Sequence, residues 1–418
     1  MYEIQKLSNG LKVILEYIPF VRSVSFGIWV KNGSRNENIE TNGISHFIEH
    51  MLFKGTYNRS AKDIADEMDM VGGHLNAYTS KDYTCYYTKS LSIHLDKVLE
   101  VMSDMLLNSK FSNEDIKKEL NVILEEIDMY EDSPDELVND VLQEIVWKDM
   151  PLGRPILGTE EVISKFNHFT FEKYYTENYN IDNTVLAIAG NFDKAQLIEM
   201  LEKYFGVWNN YLKINNTPAI SIYTPALEVR EKDIEQLHIC LGFRGENIYS
   251  KNMYIMNVFN TIFGDGMSSR LFQKIREDRG LAYTVFSDNY NYIDDGLFTI
   301  YAGLAVSQVE EVIYIIKKEI ELIKKDYSIE KDVVKAKELI KSNYLIGLES
   351  TSNRMSILGR SELLLEKIRT EDEVIKEIDA ITTEDILNIA KKVLDWNNVS
   401  LSAVGKVDSI DFKRILKG

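Results

Sequence analysis

The hydrophobic and polar positions of the first half predict a mixed α and β fold. Short apolar runs typical of strands cover 11–15, 24–30 and 184–191, and residues 74–90 alternate like a strand hairpin. Longer stretches with apolar residues at helical spacing predict helices near 43–53, 61–71, 91–109, 113–131, 134–148 and 169–178. The predicted order is therefore strands, helices around a hairpin, several further helices and a closing strand.

The second half repeats this order, which indicates a duplicated domain. Strands are predicted at 236–243, within 281–303 and at 399–405, and helices at 252–263, 307–325 and 329–347. The closing strands resemble each other, and their glycines, Gly190 and Gly405, are 215 positions apart. We therefore expect two tandem homologous α+β domains, 1–212 and 223–418, joined by a polar connector near 209–222.

Composition narrows the class of protein. The 418 residues are 44% hydrophobic and 27% charged, as in ordinary soluble globular proteins, and no apolar run reaches the length of a membrane span. The net charge of -18 argues against a nucleic-acid partner, which requires a basic face. Cys85 and Cys240 lie far apart in apolar, strand-like contexts, so we expect free buried thiols rather than a disulfide.

The main candidate for chemistry is the motif H-x-x-E-H formed by His46, Glu49 and His50. On a helix, residues four apart share a face, so the two imidazoles can bind one ion. Glu49 lies near that face, where it can hold an attacking water. The apolar flanking residues indicate a buried helix, in which these polar groups need partners. This is the layout of a zinc hydrolase, with the order of the H-E-x-x-H motif inverted.

A catalytic zinc usually has three protein ligands, so a carboxylate is needed from elsewhere. In the predicted helix 113–131, Glu119 and Glu126 are seven residues apart on one face, so one can ligate the metal while the other orients a histidine. The same helix also carries Glu114, Glu125 and Glu131, and spacing alone does not choose among the five. The corresponding helix of the second half, Met253 to Phe259, lacks the motif, so only the first half is expected to bind metal.

Over its whole length the chain resembles the pitrilysin family of zinc peptidases. It is most similar to the short two-domain branch that includes mitochondrial processing peptidase and its bacterial relatives. The resemblance covers the metal motif with the Met-Leu-Phe-Lys-Gly-Thr that follows it, and further blocks in the same order at 72–80, 122–127, 152–158 and 269–283. It implies domains that each have a mostly antiparallel sheet flanked by helices.

The resemblance also implies roles for individual residues. His46, His50 and Glu126 match the zinc ligands, with one Zn2+ per chain, and Glu49 matches the general base. Glu119 matches an acidic residue behind the ligands. In its second half, the family has an arginine and a tyrosine that hold substrate and stabilise the transition state. In its first half, the family has a strand that pairs with an extended peptide. The matching residues here are Arg276, Tyr283, Asn76 and Ala77.

In this branch two such chains face each other and enclose a chamber, so the resemblance implies a homodimer that cleaves short or unfolded peptides. Arg276 and Tyr283 of the partner subunit would then complete each site. The alternatives are an inactive scaffold, a heterodimer and a peptide-binding module without turnover. The intact ligands, base and arginine–tyrosine pair favour an active zinc metalloendopeptidase. We expect no membrane partner, and the Lys, Ile and Asn content favours a bacterial cytoplasmic location.

Overall fold

The computed structural model describes residues 2–209, 218–407 and 410–417. The strands are β1 Tyr2–Lys6, β2 Lys12–Tyr17, β3 Ser23–Val30, β4 His74–Thr79, β5 Thr84–Leu91, β6 Thr184–Gly190, β7 Leu227–Glu231, β8 Leu237–Arg244, β9 Ala282–Asn291, β10 Gly296–Leu304 and β11 Ser400–Gly405. The helices are α1 Ile44–Leu52, α2 Ala61–Met70, α3 Leu95–Leu107, α4 Asn113–Glu131, α5 Pro134–Val146, α6 Glu160–Ile163, α7 His168–Asn178, α8 Lys194–Phe205, α9 Met253–Phe263, α10 Val309–Ile323, α11 Glu330–Gly347, α12 Thr351–Leu365, α13 Glu371–Asp379, α14 Thr383–Val393 and α15 Phe412–Lys417.

These elements form two compact units, and each is built on a mostly antiparallel sheet. The first sheet has the order β1-β2-β6-β3-β5-β4, in which only the pair of β2 and β6 is parallel. The second has the order β7-β11-β8-β10-β9, in which only β7 and β11 are parallel. The predicted fold class, with its duplication, is therefore confirmed.

The closing glycines explain one detail of the repeat. Gly190 has φ 143° and Gly405 has φ 141°, a region that favours glycine. A Cβ on Gly190 would lie 2.4 Å from the carbonyl oxygen of Ser23, and one on Gly405 would lie 2.9 Å from that of Gln236. Both glycines thus end a central strand where the chain passes close to the start of its neighbour, which accounts for the similar sequences.

The two units are not the contiguous ranges 1–212 and 223–418. The first comprises Met1–Ile127, Arg154–Ala219 and Leu345–Ile368, and the second comprises Asp128–Gly153, Ile220–Tyr344 and Arg369–Gly418. Each half of the chain therefore gives one helical segment to the unit built mainly by the other half. Residues 210–217, which form most of the predicted connector, lie outside the described residues.

Helix α12 belongs to the first unit because it covers one face of that sheet. Gly359 lies against the ring of Trp29, where a Cβ would be 2.2 Å from Nε1. Nε1 of Trp29 donates a hydrogen bond of 3.3 Å to Sδ of Met355, and the hydroxyls of Ser25 and Thr351 are 2.8 Å apart. The opposite face of the sheet packs on the main core of the unit, which includes residues from α1, α3, α7 and α8.

Helix α5 covers the second sheet in the same way. Its residues Leu137, Val138 and Leu142 pack with Cys240 and Val404 of the strands in a buried apolar cluster. The two cysteines, Cys85 and Cys240, are free and buried, as predicted. No helix in the described part of the chain combines the length and apolar character needed to cross a bilayer.

Candidate metal site and active centre

Helix α1 presents the metal motif, and its start is fixed by buried polar contacts. Gly43, the residue before the helix, has φ 94°, and a Cβ there would lie 2.6 Å from the carbonyl oxygen of Leu157. The carboxylate of Glu37 accepts hydrogen bonds of 2.8 Å from the backbone N–H groups of Gly43 and Ser45. It thereby satisfies two of the N–H groups that a helix leaves unpaired at its N-terminus.

Three donor atoms from α1 and α4 converge. The imidazole rings of His46 and His50 have centroids 4.5 Å apart. Oε2 of Glu126 lies 3.7 Å from Nε2 of His46 and 3.6 Å from Nε2 of His50. The three ligand atoms lie within 4.8 Å of one another, and no other group of three such side chains converges in this way among the described residues.

This donor set fits a zinc ion. Two ligand atoms about 2.0–2.1 Å from a tetrahedral zinc lie roughly 3.3–3.4 Å apart, which is a few tenths of an ångström less than the distances to Glu126. Burial, with the neighbouring His50, lowers the pKa of His46 to about 3, so its imidazole is neutral and able to ligate. Two imidazoles and one carboxylate are a ligand set that leaves a fourth position for water.

Glu119 lies behind His50 and is not one of the three converging side chains. Its Oε1 is 2.9 Å from Nδ1 of His50, and its Oε2 is 2.6 Å from Nζ of Lys54. Burial raises the pKa of Glu119, but the hydrogen bonds from His50 and Lys54 outweigh it and hold the pKa below its usual value. An ionised Glu119 makes Nδ1 of His50 the protonated nitrogen and leaves Nε2 free to ligate.

Glu49 lies beside the histidines with its side chain largely buried. The exposed fraction of the residue is 9%, and Oε2 accepts a hydrogen bond of 2.6 Å from the hydroxyl of Thr79. Burial raises the pKa of Glu49, although the hydrogen bond from Thr79 acts in the opposite direction. A carboxylate with a raised pKa is a stronger base, which suits proton transfer from water. Sequence reasoning did not identify Thr79.

Strand β4, which carries Asn76 and Ala77, is the edge of the first sheet. Ala77 packs against the main core, whereas Asn76 is exposed. The side-chain Oδ1 of Asn76 accepts a hydrogen bond of 2.8 Å from the N–H of Ala77. An edge strand has unpaired backbone groups along one side, so β4 has the form needed to add a further strand.

Arg276 and Tyr283 lie in the second unit and contact each other. Arg276 is in a π-helix, Phe272–Glu277, a rare element that occurs often at functional sites. Its guanidinium lies 4.8 Å from the ring centroid of Phe272 and 5.2 Å from that of Tyr283. Tyr283 is 74% exposed. The pair is thus a pre-arranged cation and phenol on the surface of its unit.

Comparisons with known proteins agree with this geometry. Residues 12–160 match the family described as Insulinase (Peptidase family M16), and residues 165–340 match the Peptidase M16 inactive domain. The chain is 41% identical to the "uncharacterized zinc protease YmxG" of Bacillus subtilis, over 96% of this chain and 98% of the relative. It is 40% identical to an "uncharacterized zinc protease" of Rickettsia felis, over 96% and 97% of the two chains.

A protease from Helicobacter pylori has the same fold, with a TM-score of 0.91, 21% identity and coverage of 97% of this chain and 99% of the other. The match of both family domains, together with relatives that align over almost the whole chain, leaves no doubt about ancestry. The protein belongs to peptidase family M16, the pitrilysin family.

Proposed function

We propose that this protein is a zinc-dependent endopeptidase that cleaves short or unfolded peptides, with one zinc ion per chain. The observation that carries the proposal is the convergence of His46, His50 and Glu126 beside the buried carboxylate of Glu49. Relatives along the whole chain are named zinc proteases, which supports the same activity. A hydrolase needs both parts, because the metal ligands alone would also serve a purely structural site.

His46, His50 and Glu126 would hold the ion, and bound zinc supplies a Lewis acid that polarises the scissile carbonyl and acidifies water. Glu49 would act as the general base. It takes the proton from the attacking water and passes it to the leaving amine. Its raised pKa suits both steps, since the same group must accept and then release one proton.

The peptide would bind in extended form along the edge of β4, as an added strand. Backbone hydrogen bonds to an edge strand hold a peptide without reading its sequence, which suits an enzyme for unfolded substrates. Asn76 and Ala77 are the proposed contacts. The hydrogen bond between Asn76 Oδ1 and the N–H of Ala77 would have to open, so that this N–H becomes available to the peptide.

Arg276 and Tyr283 would hold the substrate and donate to the developing oxyanion. We propose that the protein is a homodimer in which these two side chains reach the zinc site of the opposite chain and the two chains enclose a chamber. The contact between Arg276 and Tyr283 supports the proposal that the two side chains act together on the substrate. Enclosure would exclude folded proteins and admit short or unfolded peptides.

The proposed ligand set is tested by zinc content. Glu126→Gln is expected to lose zinc, because an amide is a poor ligand, whereas Glu125→Gln serves as the matched control on the same helix. Glu125 is exposed and adjacent in sequence, so its loss of charge leaves the site unchanged. Equal zinc content in the two variants would overturn the assignment of Glu126.

The catalytic assignment and the dimer are tested together with a quenched peptide substrate. Glu49→Gln and the double variant Arg276→Ala/Tyr283→Phe are each expected to be nearly inactive. If sites are shared, a mixture in equal amounts has one complete site in every heterodimer, so subunit exchange restores about a quarter of wild-type activity. No rescue would refute shared sites, and an inactive wild-type enzyme with bound zinc would refute the peptidase itself.

A further inference from the structure

Among the described residues, one side chain donates a hydrogen bond to the Glu49 carboxylate, and it belongs to the proposed peptide-binding strand. The hydroxyl of Thr79, the last residue of β4, lies 2.6 Å from Oε2 of Glu49. This is the short distance of a hydrogen bond to an ionised oxygen. Oε1 of Glu49 receives no hydrogen bond from a described residue, so it is the oxygen left to face water.

The neighbouring hydroxyl groups show which of Thr79 and Glu49 is the donor in this hydrogen bond. The hydroxyl of Thr79 also lies 3.4 Å from that of Thr84, its partner on β5. Thr84 donates its own proton to the carbonyl oxygen of Asn32 at 2.8 Å. Since a hydroxyl has one proton and an ionised carboxylate has none, Thr79 must be the donor to Glu49.

The position of Thr79 is set by the β4–β5 hairpin. The turn that follows is closed by the backbone hydrogen bond from Ser80 N to Tyr83 O, 2.8 Å long. Thr79 therefore has a fixed backbone, and its side chain points to the same face of the sheet as that of Ala77, two residues earlier. One strand thus carries both the proposed peptide contacts and the donor to the base.

We propose that Thr79 is a positioning residue that holds Oε2 of Glu49, keeps Oε1 directed at the attacking water and couples the orientation of the base to the strand that binds the peptide. This inference rests on the proposed function of Glu49 as general base. Within the described part of the chain, Thr79 makes no hydrogen bond to His46, His50 or Glu126, so its effect is expected on turnover and not on zinc affinity.

The test uses isosteric changes in the full-length protein. Thr79→Val keeps the shape of the side chain and removes its hydroxyl, and Thr79→Ser restores the hydroxyl. Thr88→Val is the matched control, because Thr88 is a buried threonine of the same hairpin whose hydroxyl has no hydrogen-bond partner among the described residues. For each variant, kcat, KM, zinc content and the thermal midpoint are measured.

For Thr79→Val we expect kcat to fall about tenfold or more, part of the 100-fold or greater effect of general-base catalysis, with KM and zinc content unchanged. Thr79→Ser should recover most of the turnover, and Thr88→Val should behave as wild type. Thr79→Ala, which is smaller and cannot strain the hairpin, provides a second variant without the hydroxyl.

Wild-type kcat in Thr79→Val or Thr79→Ala would overturn the inference while leaving the peptidase proposal intact. Loss of zinc, or an equal loss in Thr79→Ser and Thr79→Val, would also overturn it, since a structural role would then explain the effect. Failure of the proposed function has a different signature, because the wild-type protein itself would be inactive with zinc bound.

Discussion

Glu37 gives a quantitative prediction about the stability of α1, the helix that carries His46, Glu49 and His50. The exposed fraction of this residue is 4%, and its carboxylate accepts hydrogen bonds from Asn42 Nδ2 at 2.9 Å and from the N–H groups of Gly43 and Ser45 at 2.8 Å. Burial raises its pKa from 4.5 to about 7, and hydrogen bonding to Asn42, Gly43 and Ser45 only partly opposes this shift. The Glu37 carboxyl therefore binds its proton more tightly in the native state than in the unfolded chain.

The sign and size of the effect follow from that difference. Because the pKa is higher in the folded state, the stabilising contribution of the protonated carboxyl is complete below pH 4.5. It is lost as the pH rises through about 7. At 1.36 kcal/mol per pKa unit, the loss is roughly 3 kcal/mol. The neutral variant Glu37→Gln has no such dependence.

The assay is native-state hydrogen exchange of the peptide that contains α1, followed from pH 4.5 to pH 8 and corrected for the intrinsic exchange rate. A local measurement is preferable because two units need not unfold together. Metal-free protein is used for both variants, so that pH-dependent metal binding does not contribute to the difference. Opening free energies of the wild type relative to Glu37→Gln should fall by roughly 3 kcal/mol across this range. Parallel curves would refute the reasoning.

Three further outcomes are expected. Glu119→Gln should weaken zinc binding by about 10–100-fold in a chelator competition, because it removes the charge that fixes the tautomer of His50, whereas Glu125→Gln should not. Gly359→Ala should lower the free energy of unfolding by about 1–3 kcal/mol in urea, since its Cβ would lie 2.2 Å from Nε1 of Trp29, and wild-type stability would contradict that packing. Chelation should abolish peptide cleavage and added zinc restore it, and activity that survives complete zinc removal would exclude a metal-dependent reaction.

Local patterns were enough to predict the elements that carry the site. The helix expected at 43–53 is Ile44–Leu52, and the hairpin expected at 74–90 is formed by β4 and β5. The residues of β4 alternate between exposed and partly buried, and α1 is buried along almost its whole length, so an alternating pattern and an apolar run are enough to indicate them. The helix expected at 91–109 begins only at Leu95, because β5 continues to Leu91.

Contacts between distant residues were harder to predict. Spacing left five glutamates open in α4, and only the family resemblance selected Glu126 over Glu119. The contacts of Glu37 and Thr79 had no signal in the sequence. Glu37 reaches the start of α1 through a turn, Thr79 reaches Glu49 between a strand and a helix, and no periodicity marks such contacts. The proposed zinc-binding role of Glu126 and the proposed positioning role of Thr79 stay predictions, which zinc content and turnover test.

The exchange of α5 and α12 could not be predicted, since an amphipathic helix carries no mark of the sheet that it will cover. Met355 and Gly359 contact Trp29 in the folded protein, but nothing in the sequence near either residue indicates this contact. The same apolar spacing would allow either helix to pack on its own half of the chain, so continuity along the sequence was the reasonable expectation.

The position of α12 has a consequence for biosynthesis. The first unit contains residues up to 219 and then needs Leu345–Ile368. At about 5–20 residues per second, a ribosome takes roughly 6–25 s to reach this segment after residue 219. During that interval α12 is not yet available to cover the face of the sheet around Trp29. We therefore expect the first unit to complete its fold only after α12 has been made, and a fragment that ends at residue 212 to aggregate when it is produced alone.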